Sequence, residues 1–316
     1  MSHIKLPKSL RPGSKIAIIS PAGYLSSPTL LDEVTAMIKA QGYGYVFGEH
    51  CFARYDNHYA YAGTPEQRLA DLQWACDDPD IDAIWATRGG YGSVQLLDGL
   101  SMSAIWNNPK WLIGYSDITY LHSAFNQHGI ATIHGHNVVQ TSSNGVPAPP
   151  SAYGKIFDIL KGHAPEYQMP SHGLNQPGTA RGRLVGGNQT VVGAVSGTRY
   201  DFDYEGAILF LEEIGENAYY RIDRQMQTLE TAGVLEKIQG IIIGSMRNIG
   251  GGNSDFDESA YRVIDQIVDK YKVPKIFAFP AGHIPDHYPL IMGAEVEMEV
   301  QAGRSVVKYS LPHQCT

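Results

Sequence analysis

The segment KIAIISPAG, residues 15–23, begins a regular alternation of short apolar runs and amphipathic stretches. Its β-branched run predicts a strand, and the Ser-Pro-Ala-Gly end predicts a turn directly after it. The following apolar residues recur at helical spacing until Gly42, which predicts a helix that ends there. Further apolar runs at residues 81–87 and 111–114 predict two more strands. Strand–helix–strand alternation at this spacing predicts an α/β domain with a doubly wound parallel sheet.

The second half of the sequence is richer in predicted strands than in predicted helices. Turn-forming residues predict a linker at 146–178, between an N-terminal domain of residues 1–145 and a C-terminal domain of residues 179–316. The alternating run AEVEMEV, residues 294–300, predicts a half-exposed antiparallel strand, and the next run predicts its hairpin partner. We therefore expect a β-rich C-terminal domain.

Composition excludes several classes of function. The 316 residues include 24 Lys and Arg against 32 Asp and Glu, and this net charge of −8 argues against a nucleic-acid partner. Early prolines do not fit a signal peptide, and no run reaches the roughly 18 apolar residues of a membrane span. Cys51, Cys76 and Cys315 follow neither a disulfide nor a zinc pattern, so we expect reduced thiols in a cytoplasmic protein.

A serine follows the predicted strand at residues 111–114. The sequence LIGYSDIT, residues 112–119, passes from an apolar strand through Gly-Tyr-Ser into a predicted helix. A serine on such a sharp turn exposes its hydroxyl above the sheet edge, where the free N–H groups of the helix stabilise an oxyanion. Ile118 replaces the second glycine of the G-x-S-x-G pattern. Ser116 is therefore a candidate nucleophile, and the alternative is that it only caps the helix.

A glycine-rich turn, TRGGYG, follows the strand predicted at residues 81–87. Glycines at a strand end allow a ligand to approach the backbone closely. The pattern matches neither a complete phosphate-binding loop nor a complete dinucleotide fingerprint. Gly89 or Gly90 could supply a second oxyanion N–H beside Ser116, and the alternative is a simple tight turn.

Acidic and imidazole side chains follow two other predicted strands. Glu212 and Glu213 end a buried run, where one carboxylate could orient a histidine or both could be solvated. His283 lies in a loop framed by Gly and Pro, which suits a positioned general base or an ordinary surface residue. His134 and His136 could share one face of a strand, but no nearby acid completes a metal site, so we predict none.

These segments together resemble the LD-carboxypeptidase family, serine peptidases with a Ser-Glu-His triad, over nearly the whole chain. The resemblance is carried by TRGGYGS, LIGYSDIT, LVGGNQT, LFLEEIGENAYYRIDRQMQTL and FPAGHIPDHYPLIMG. It implies Ser116 as nucleophile, His283 as general base and Glu212 as the acid that orients the histidine. Glu213 is the less favoured acid, since the first glutamate of the L-E-[DE] pattern is the family's position.

The resemblance also implies the rest of the site and the architecture. The backbone N–H of Asp117, with that of Gly89 or Gly90, would form the oxyanion hole. The nucleophile turn would belong to the α/β domain, and the site would lie where this domain meets the β-rich one. The implied assembly is a homodimer, and no cofactor is implied.

The members that the chain resembles most remove the terminal D-alanine from a cytoplasmic murein tetrapeptide during cell-wall recycling. Such an enzyme needs a cation for the substrate's terminal carboxylate, and Arg88, Arg221 and Arg224 are the candidates. We therefore expect a small peptide as partner, and neither nucleic acid nor a membrane.

Three alternatives remain open at this point. The microcin-immunity peptidases share the triad but cleave acyl-sulfamoyl or aminoacyl-nucleotide conjugates. An α/β-hydrolase esterase shares the order Ser, acid, His, but the missing second glycine and the β-rich second half count against it. A non-catalytic ligand-binding module would make the coincidence of Ser, Glu and His accidental.

Overall fold

The computed structural model describes residues 4–139 and 148–311, and the chain divides into two compact units. Of the described residues, the first unit contains those up to His163 and Pro289–Ile291, and the second contains Ala164–Tyr288 and residues 292–311. The stretch predicted as a linker contains a helix of the first unit and a strand of the second. Within the described ranges, no helix combines the length and apolar character needed to cross a membrane.

The first unit is an α/β unit whose strands and helices alternate along the chain, as the sequence predicts. Its strands are β1 (Lys15–Ile19), β2 (Gly44–Phe47), β3 (Tyr55–Asp56), β4 (Ala60–Tyr61), β5 (Ala83–Ala86), β6 (Trp111–Gly114) and β7 (Thr132–His134). Its helices are α1 (Asp32–Ala40), α2 (Pro65–Asp77), α3 (Ser103–Asn107), α4 (Thr119–Gln127) and α5 (Pro150–Leu160). The sheet order β2-β1-β5-β6-β7 is parallel throughout, which confirms the predicted doubly wound sheet.

The order of these strands fixes where a ligand can bind. From β1 the chain passes to β2 on one side and later to β5 on the other, so strand order reverses between β1 and β5. Open α/β sheets bind ligands outside the carboxyl ends of the strands at such a switch point. β5 and β6 are buried along their whole length, as expected for strands covered on both faces.

The second unit is built on one mixed sheet, in agreement with the predicted strand-rich second half. The elements of this part of the chain are β8 (Glu166–Pro170), β9 (Gly178–Asn188), α6 (Gln189–Val195), β10 (Ile208–Ile214), α7 (Tyr219–Thr231), β11 (Gly240–Arg247), α8 (Glu258–Val268), β12 (Lys275–Ile276), β13 (Leu290–Met292), β14 (Glu295–Val300) and β15 (Arg304–Tyr309). The sheet order is β12-β11-β10-β9-β14-β15-β8, with parallel pairs from β12 to β9 and antiparallel pairs beyond.

One strand of this list belongs to the other sheet. β13 lies beside β7 at the edge of the first sheet, and Pro289–Ile291 is counted in the first unit for that reason. The first unit is therefore completed by residues from late in the chain.

Candidate active site

Ser116 lies on a sharp turn between β6 and α4. A single turn of 3₁₀ helix, Ser116–Ile118, connects them, and the φ of Ser116 is 64°. This left-handed conformation is costly for a residue with a Cβ, and such strain gathers at functional sites. The cap positions of the 3₁₀ turn and of α4 are Tyr115 and Ile118, and neither makes a side-chain capping bond. The half-buried Ser116 is thus not the capping residue of either segment.

The glycine-rich turn after β5 packs directly against Ser116. A Cβ at Gly89 would lie 2.9 Å from Ser116 Cβ and 3.2 Å from Ser116 Oγ. A side chain at Gly89 would therefore displace the serine, and its absence lets the two backbones approach. The structure places Gly89 against the Ser116 turn. The part played by the N–H groups of Gly89, Gly90 and Asp117 as an oxyanion hole stays a prediction.

The side chain of Asp117 ties these two segments together. Its Oδ2 accepts a 2.8 Å hydrogen bond from the N–H of Ser93, beyond the glycine-rich turn. Burial raises the pKa of Asp117 to about 6, against the opposing effects of the Ser93 N–H and the charge of Arg68. Arg68 in turn donates to the carbonyls of Gly92 and Pro21 at 2.9 and 2.8 Å. The sequence indicates only the N–H of Asp117, because the carboxylate's partner is 24 residues away.

In the second unit, Glu212 and His283 are in direct contact. His283 Nδ1 lies 2.6 Å from Glu212 Oε2, and the Glu212 side chain is fully buried. Because a carboxylate only accepts hydrogen bonds, Nδ1 carries the proton, and in the neutral ring Nε2 is the basic nitrogen. The His283 side chain is 12% exposed. This pairing is the one that a general base and its orienting acid require.

A β-bulge and a glycine make room for this contact. Leu211 pairs with Ile243 and Glu213 with Met246, so β11 carries one extra residue opposite Glu212. Bulges redirect side chains next to active sites. Gly282 has a φ of +120°, and a Cβ there would lie 2.7 Å from Glu212 Oε2. Glycine directly before His283 is therefore a geometric requirement of the pair.

Glu213 makes a different set of contacts from its neighbour. It accepts hydrogen bonds from the N–H and the hydroxyl of Thr190, at 2.8 and 2.7 Å. Asn188 Nδ2 donates to Glu213 Oε1 at 2.9 Å and to Glu212 Oε1 at 3.3 Å. Burial raises the pKa of Glu213, and the charge of Glu212 raises it further. Asn188 thus links the two acids, a role that its position after Gly-Gly at a strand end could have signalled.

Arg247 holds the backbone of His283. This buried side chain donates from Nη1 to the His283 carbonyl at 2.6 Å, and its Nε lies 3.0 Å from Asp255 Oδ1. The contact spans 36 residues of sequence, which is why no local pattern indicates it.

The three candidate arginines have different surroundings. Arg88 is half-buried in the loop after β5 and donates to the Tyr24 carbonyl at 3.2 Å, in the same unit as Ser116. Arg221 lies on α7 of the second unit, 47% exposed, with its Nη1 3.3 Å from Glu216. Arg224 follows on the same helix and lies over the ring of Tyr220, 5.1 Å from its centroid.

Among the other side chains singled out from the sequence, the two histidines at 134 and 136 and two of the cysteines are buried. His134 and His136 flank Tyr115 edge-on, with ring centroids 5.9 and 6.1 Å away. Within residues 4–139 and 148–311, no group of three or more His, Cys, Asp or Glu side chains could hold a metal ion. Cys51 and Cys76 are free, and burial raises the pKa of each thiol to about 12. Cys315 lies outside the described residues.

Profiles of known families match both halves of the chain. The LD-carboxypeptidase N-terminal domain matches residues 16–135, and the LD-carboxypeptidase C-terminal domain matches residues 181–298. The murein tetrapeptide carboxypeptidase of Pseudomonas aeruginosa is 33% identical over 278 residues, which cover 85% of this chain and 88% of that one. The probable murein peptide carboxypeptidase of Bacillus subtilis is 29% identical over 307 residues, covering 96% and 94%.

Solved structures share the fold over nearly the full length. The muramoyltetrapeptide carboxypeptidase of Oxalobacter formigenes matches with a TM-score of 0.82 at 25% identity, covering 94% of this chain and 99% of that one. The microcin C7 self-immunity protein MccF, solved with aspartyl sulfamoyl adenosine, matches with a TM-score of 0.82 at 21% identity, covering 98% and 99%. At this lower identity the likeness shows a common fold.

Proposed function

This chain belongs to the LD-carboxypeptidase family of hydrolases, and on that premise we propose that it is a serine-type carboxypeptidase of murein recycling. Its proposed substrate is a cytoplasmic murein tetrapeptide, from which it releases the terminal D-alanine by cleaving the bond to the L-centre of diaminopimelate. The observation that carries the proposal is the 2.6 Å contact between Glu212 and His283, the acid–histidine pair that a general base requires. The names of the relatives from Pseudomonas aeruginosa and Bacillus subtilis support the substrate class.

In the proposed reaction, Ser116 Oγ attacks the carbonyl carbon of the third residue, and His283 Nε2 takes the hydroxyl proton. Glu212 stabilises the imidazolium and keeps the ring in the required tautomer. The imidazolium then gives its proton to the leaving amine of D-alanine, and the tripeptide stays on Ser116 as an ester. Water attacks this ester with the help of His283 and regenerates the hydroxyl.

Two further groups complete the proposed site. The N–H groups of Gly89 or Gly90 and of Asp117 stabilise the oxyanion, since they belong to the turns that meet at Ser116. Arg88 is the favoured cation for the terminal carboxylate, because it lies in the same loop as Gly89. Arg221 and Arg224 remain the other candidates. We also propose that the enzyme acts as a homodimer, which light scattering of the purified protein tests.

The second candidate function is cleavage of aminoacyl- or peptidyl-nucleotide conjugates. The fold match to MccF favours it, since that protein was solved with an aminoacyl sulfamoyl nucleoside. The murein tetrapeptide hypothesis is preferred because two relatives named as murein carboxypeptidases are 29% and 33% identical over most of the chain, whereas MccF is 21% identical.

Removal of the Ser116 hydroxyl tests the proposed function. We expect Ser116→Ala and Ser116→Gly both to lower kcat on the D-alanine tetrapeptide by at least about 10³-fold, the scale of losing a triad serine. Glycine suits the φ of 64° at this position, so Ser116→Gly should be at least as stable as the native protein. Free alanine is measured by chromatography, and stability by thermal unfolding.

The matched control is a tetrapeptide that ends in L-alanine. With the carboxylate anchored, inversion of the terminal α-carbon displaces the scissile carbonyl from Ser116, and a shift of about 1 Å costs roughly 100-fold in rate. The wild-type enzyme should therefore spare this peptide. Equal rates on the two peptides would mean that the enzyme is a general peptidase. Activity of Ser116→Ala within tenfold of wild type would contradict the assignment of Ser116 as the nucleophile.

A further inference from the structure

Four tyrosines form an aromatic surface in the first unit that the proposed reaction does not use. Tyr55 and Tyr61 lie in the hairpin of β3 and β4, Tyr59 lies between these strands, and Tyr91 lies in the glycine-rich turn after β5. We call these four residues the tyrosine platform. The exposed fraction is 38% for Tyr55 and 42% for Tyr91. Exposed apolar side chains that cluster, unlike single ones, mark candidate interaction sites.

The platform is built around a buried ring. Tyr61 is 2% exposed, and Tyr55, Tyr59 and Tyr91 pack against it with centroids 6.4, 5.2 and 6.1 Å away. The buried guanidinium of Arg68 lies 5.0 Å from the Tyr61 centroid. The Tyr61 hydroxyl is 2.6 Å from His58 Nε2, which fixes the ring further. The exposed rings therefore rest on a rigid base, which lowers the entropic cost of binding.

The platform borders the turn that contacts the proposed nucleophile. A Cβ at Gly90 would lie 2.2 Å from Tyr59 Oη, so this hydroxyl rests on the glycine-rich turn. The neighbouring Gly89 contacts Ser116 in the same way. The loop after β1 joins them, since Gly23 N–H donates to the Gly89 carbonyl at 3.2 Å. The platform thus continues from the switch point of the sheet, where the proposed substrate binds.

We propose that the tyrosine platform binds the pyranose ring of a muramoyl-linked substrate, an inference that rests on the proposed function. One face of a pyranose carries C–H bonds of partial positive charge, and these pack on the negative face of an aromatic ring. The sugar hydroxyls then point sideways, toward polar side chains. Asn57 and His58, both exposed, lie in the turn between Tyr55 and Tyr59 and can provide such partners.

The length of the substrate fits this placement. In a murein tetrapeptide the sugar is attached to the first residue, and the bond cleaved follows the third. Three extended residues at roughly 3.3–3.6 Å each, with the lactyl group that joins the sugar to the peptide, separate the sugar from the scissile carbonyl by more than about 10 Å. The platform begins at the turn beside Ser116, and neighbouring centroids are 5.2–6.4 Å apart. The sugar therefore lies beyond the groups at the scissile bond, as the platform lies beyond the glycine-rich turn that contacts Ser116.

Two substrates and three variants test the platform. The substrates are the free tetrapeptide and the same tetrapeptide linked to N-acetylmuramic acid. We expect Tyr91→Ala and Tyr55→Ala each to raise KM for the sugar-linked substrate about tenfold, the scale of one aromatic contact, with kcat unchanged. KM for the free tetrapeptide should change less than about twofold. Tyr91→Phe should behave as wild type, because the ring face and not the hydroxyl makes the contact.

A control variant and a binding measurement separate this proposal from the proposed function. Trp106→Ala removes an equally exposed ring of the same unit, 39% exposed, and should change neither KM. Calorimetry measures the affinity of the sugar-linked peptide for Ser116→Ala, with and without the additional change Tyr91→Ala. This comparison tests binding to the platform whether or not the enzyme hydrolyses the peptide. If wild type cleaves neither substrate, the proposed function fails, and the binding difference alone decides the platform.

Three outcomes would overturn the platform proposal. Equal affinity of the sugar-linked peptide for Ser116→Ala with and without Tyr91→Ala would mean that the ring contacts no sugar. The same rise in KM for both substrates would mean that Tyr91 binds the peptide part. Weaker binding of an aminoacyl sulfamoyl nucleoside, with the sugar-linked peptide unaffected, would assign the surface to a nucleobase.

Discussion

The carboxylates of the adjacent Glu212 and Glu213 in β10 have different sets of hydrogen-bond partners. The same substitution should therefore affect activity at one position and stability at the other. Glu212→Gln removes the charge beside His283 Nδ1, so we expect kcat to fall by roughly 10³–10⁴-fold, as when a triad acid becomes an amide. Glu213→Gln replaces a carboxylate that accepts two hydrogen bonds from Thr190 with an amide that has only one acceptor oxygen. It should therefore lower the free energy of unfolding by about 1–3 kcal/mol.

The measurement for this pair is kcat on the D-alanine tetrapeptide together with the midpoint of thermal unfolding. Glu213→Gln should keep kcat within about tenfold of wild type, since its partners lie on Thr190 and Asn188. A larger loss of kcat in Glu213→Gln than in Glu212→Gln would reverse the assignment of the acid.

The proposed catalytic residues could be selected from the sequence because each has a reactive side chain directly after a predicted strand. Ser116, Glu212 and His283 all have this position, and the contact between the last two is present in the structure. Asn188 and Arg247 could not be selected in this way. Their contacts depend on where separate strands end and on a bulge in β11. No local sequence pattern predicts the strand ends or the bulge.

At the scale of elements, the carboxylate of Asp117 joins the 3₁₀ turn after β6 to the segment after the glycine-rich turn. Its folded pKa of about 6 lies above the ordinary value of 3.8. Between these pH values the folded protein holds a proton that the unfolded chain has lost. The contribution of Asp117 to stability is therefore greatest below pH 3.8 and falls as the pH rises through 6.

Asp117→Asn removes this titration and gives a prediction with a definite sign. The unfolding free energy of the variant minus that of wild type should rise by roughly 3 kcal/mol between pH 4 and pH 7, at about 1.4 kcal/mol per pKa unit. Urea titrations across this range measure the difference, and effects of the amide that do not depend on pH cancel in it. A difference that stays constant or falls with pH would contradict the raised pKa of the buried Asp117 carboxylate.

The sequence predicts the bounds of a strand where its apolar run ends with the strand, and it does not where the backbone conformation ends the strand earlier. The strand at Trp111–Gly114 has the predicted bounds, since its buried run ends at the Ser116 turn. The apolar run at 275–279 favours a longer strand than the one observed, because β12 ends at Ile276 and Ala278 adopts a left-handed φ of 56°. The same apolar run continues past this point, so hydrophobicity alone could not place the end.

At the scale of the whole molecule, β13 makes the first sheet depend on residues near 290. Ile291 is fully buried, and Ile291→Ala should lower the free energy of unfolding by roughly 2–5 kcal/mol. We expect faster amide exchange in β7, its neighbour in the sheet, although about 155 residues separate them in sequence. Mass spectrometry of hydrogen exchange measures this strand by strand.

A matched substitution in the second sheet provides the control. Ile276 in β12 is equally buried and pairs with Ile242 of β11. Ile276→Ala should raise exchange in β11 and leave β7 close to wild type. Identical exchange patterns in the two variants would show that the units open as one and that β13 has no local effect.

The position of β13 also has a consequence for synthesis on the ribosome. Domains usually fold as they emerge, at about 5–20 residues per second, beginning with the N-terminal one. Here the first sheet lacks its edge strand until Leu290–Met292 has been translated. The emerging chain must therefore carry β7 with an open hydrogen-bonding edge while β8 to β12 of the second unit are made. An open edge invites pairing with other chains, so chaperone binding to stalled nascent chains should decline once these residues leave the exit tunnel.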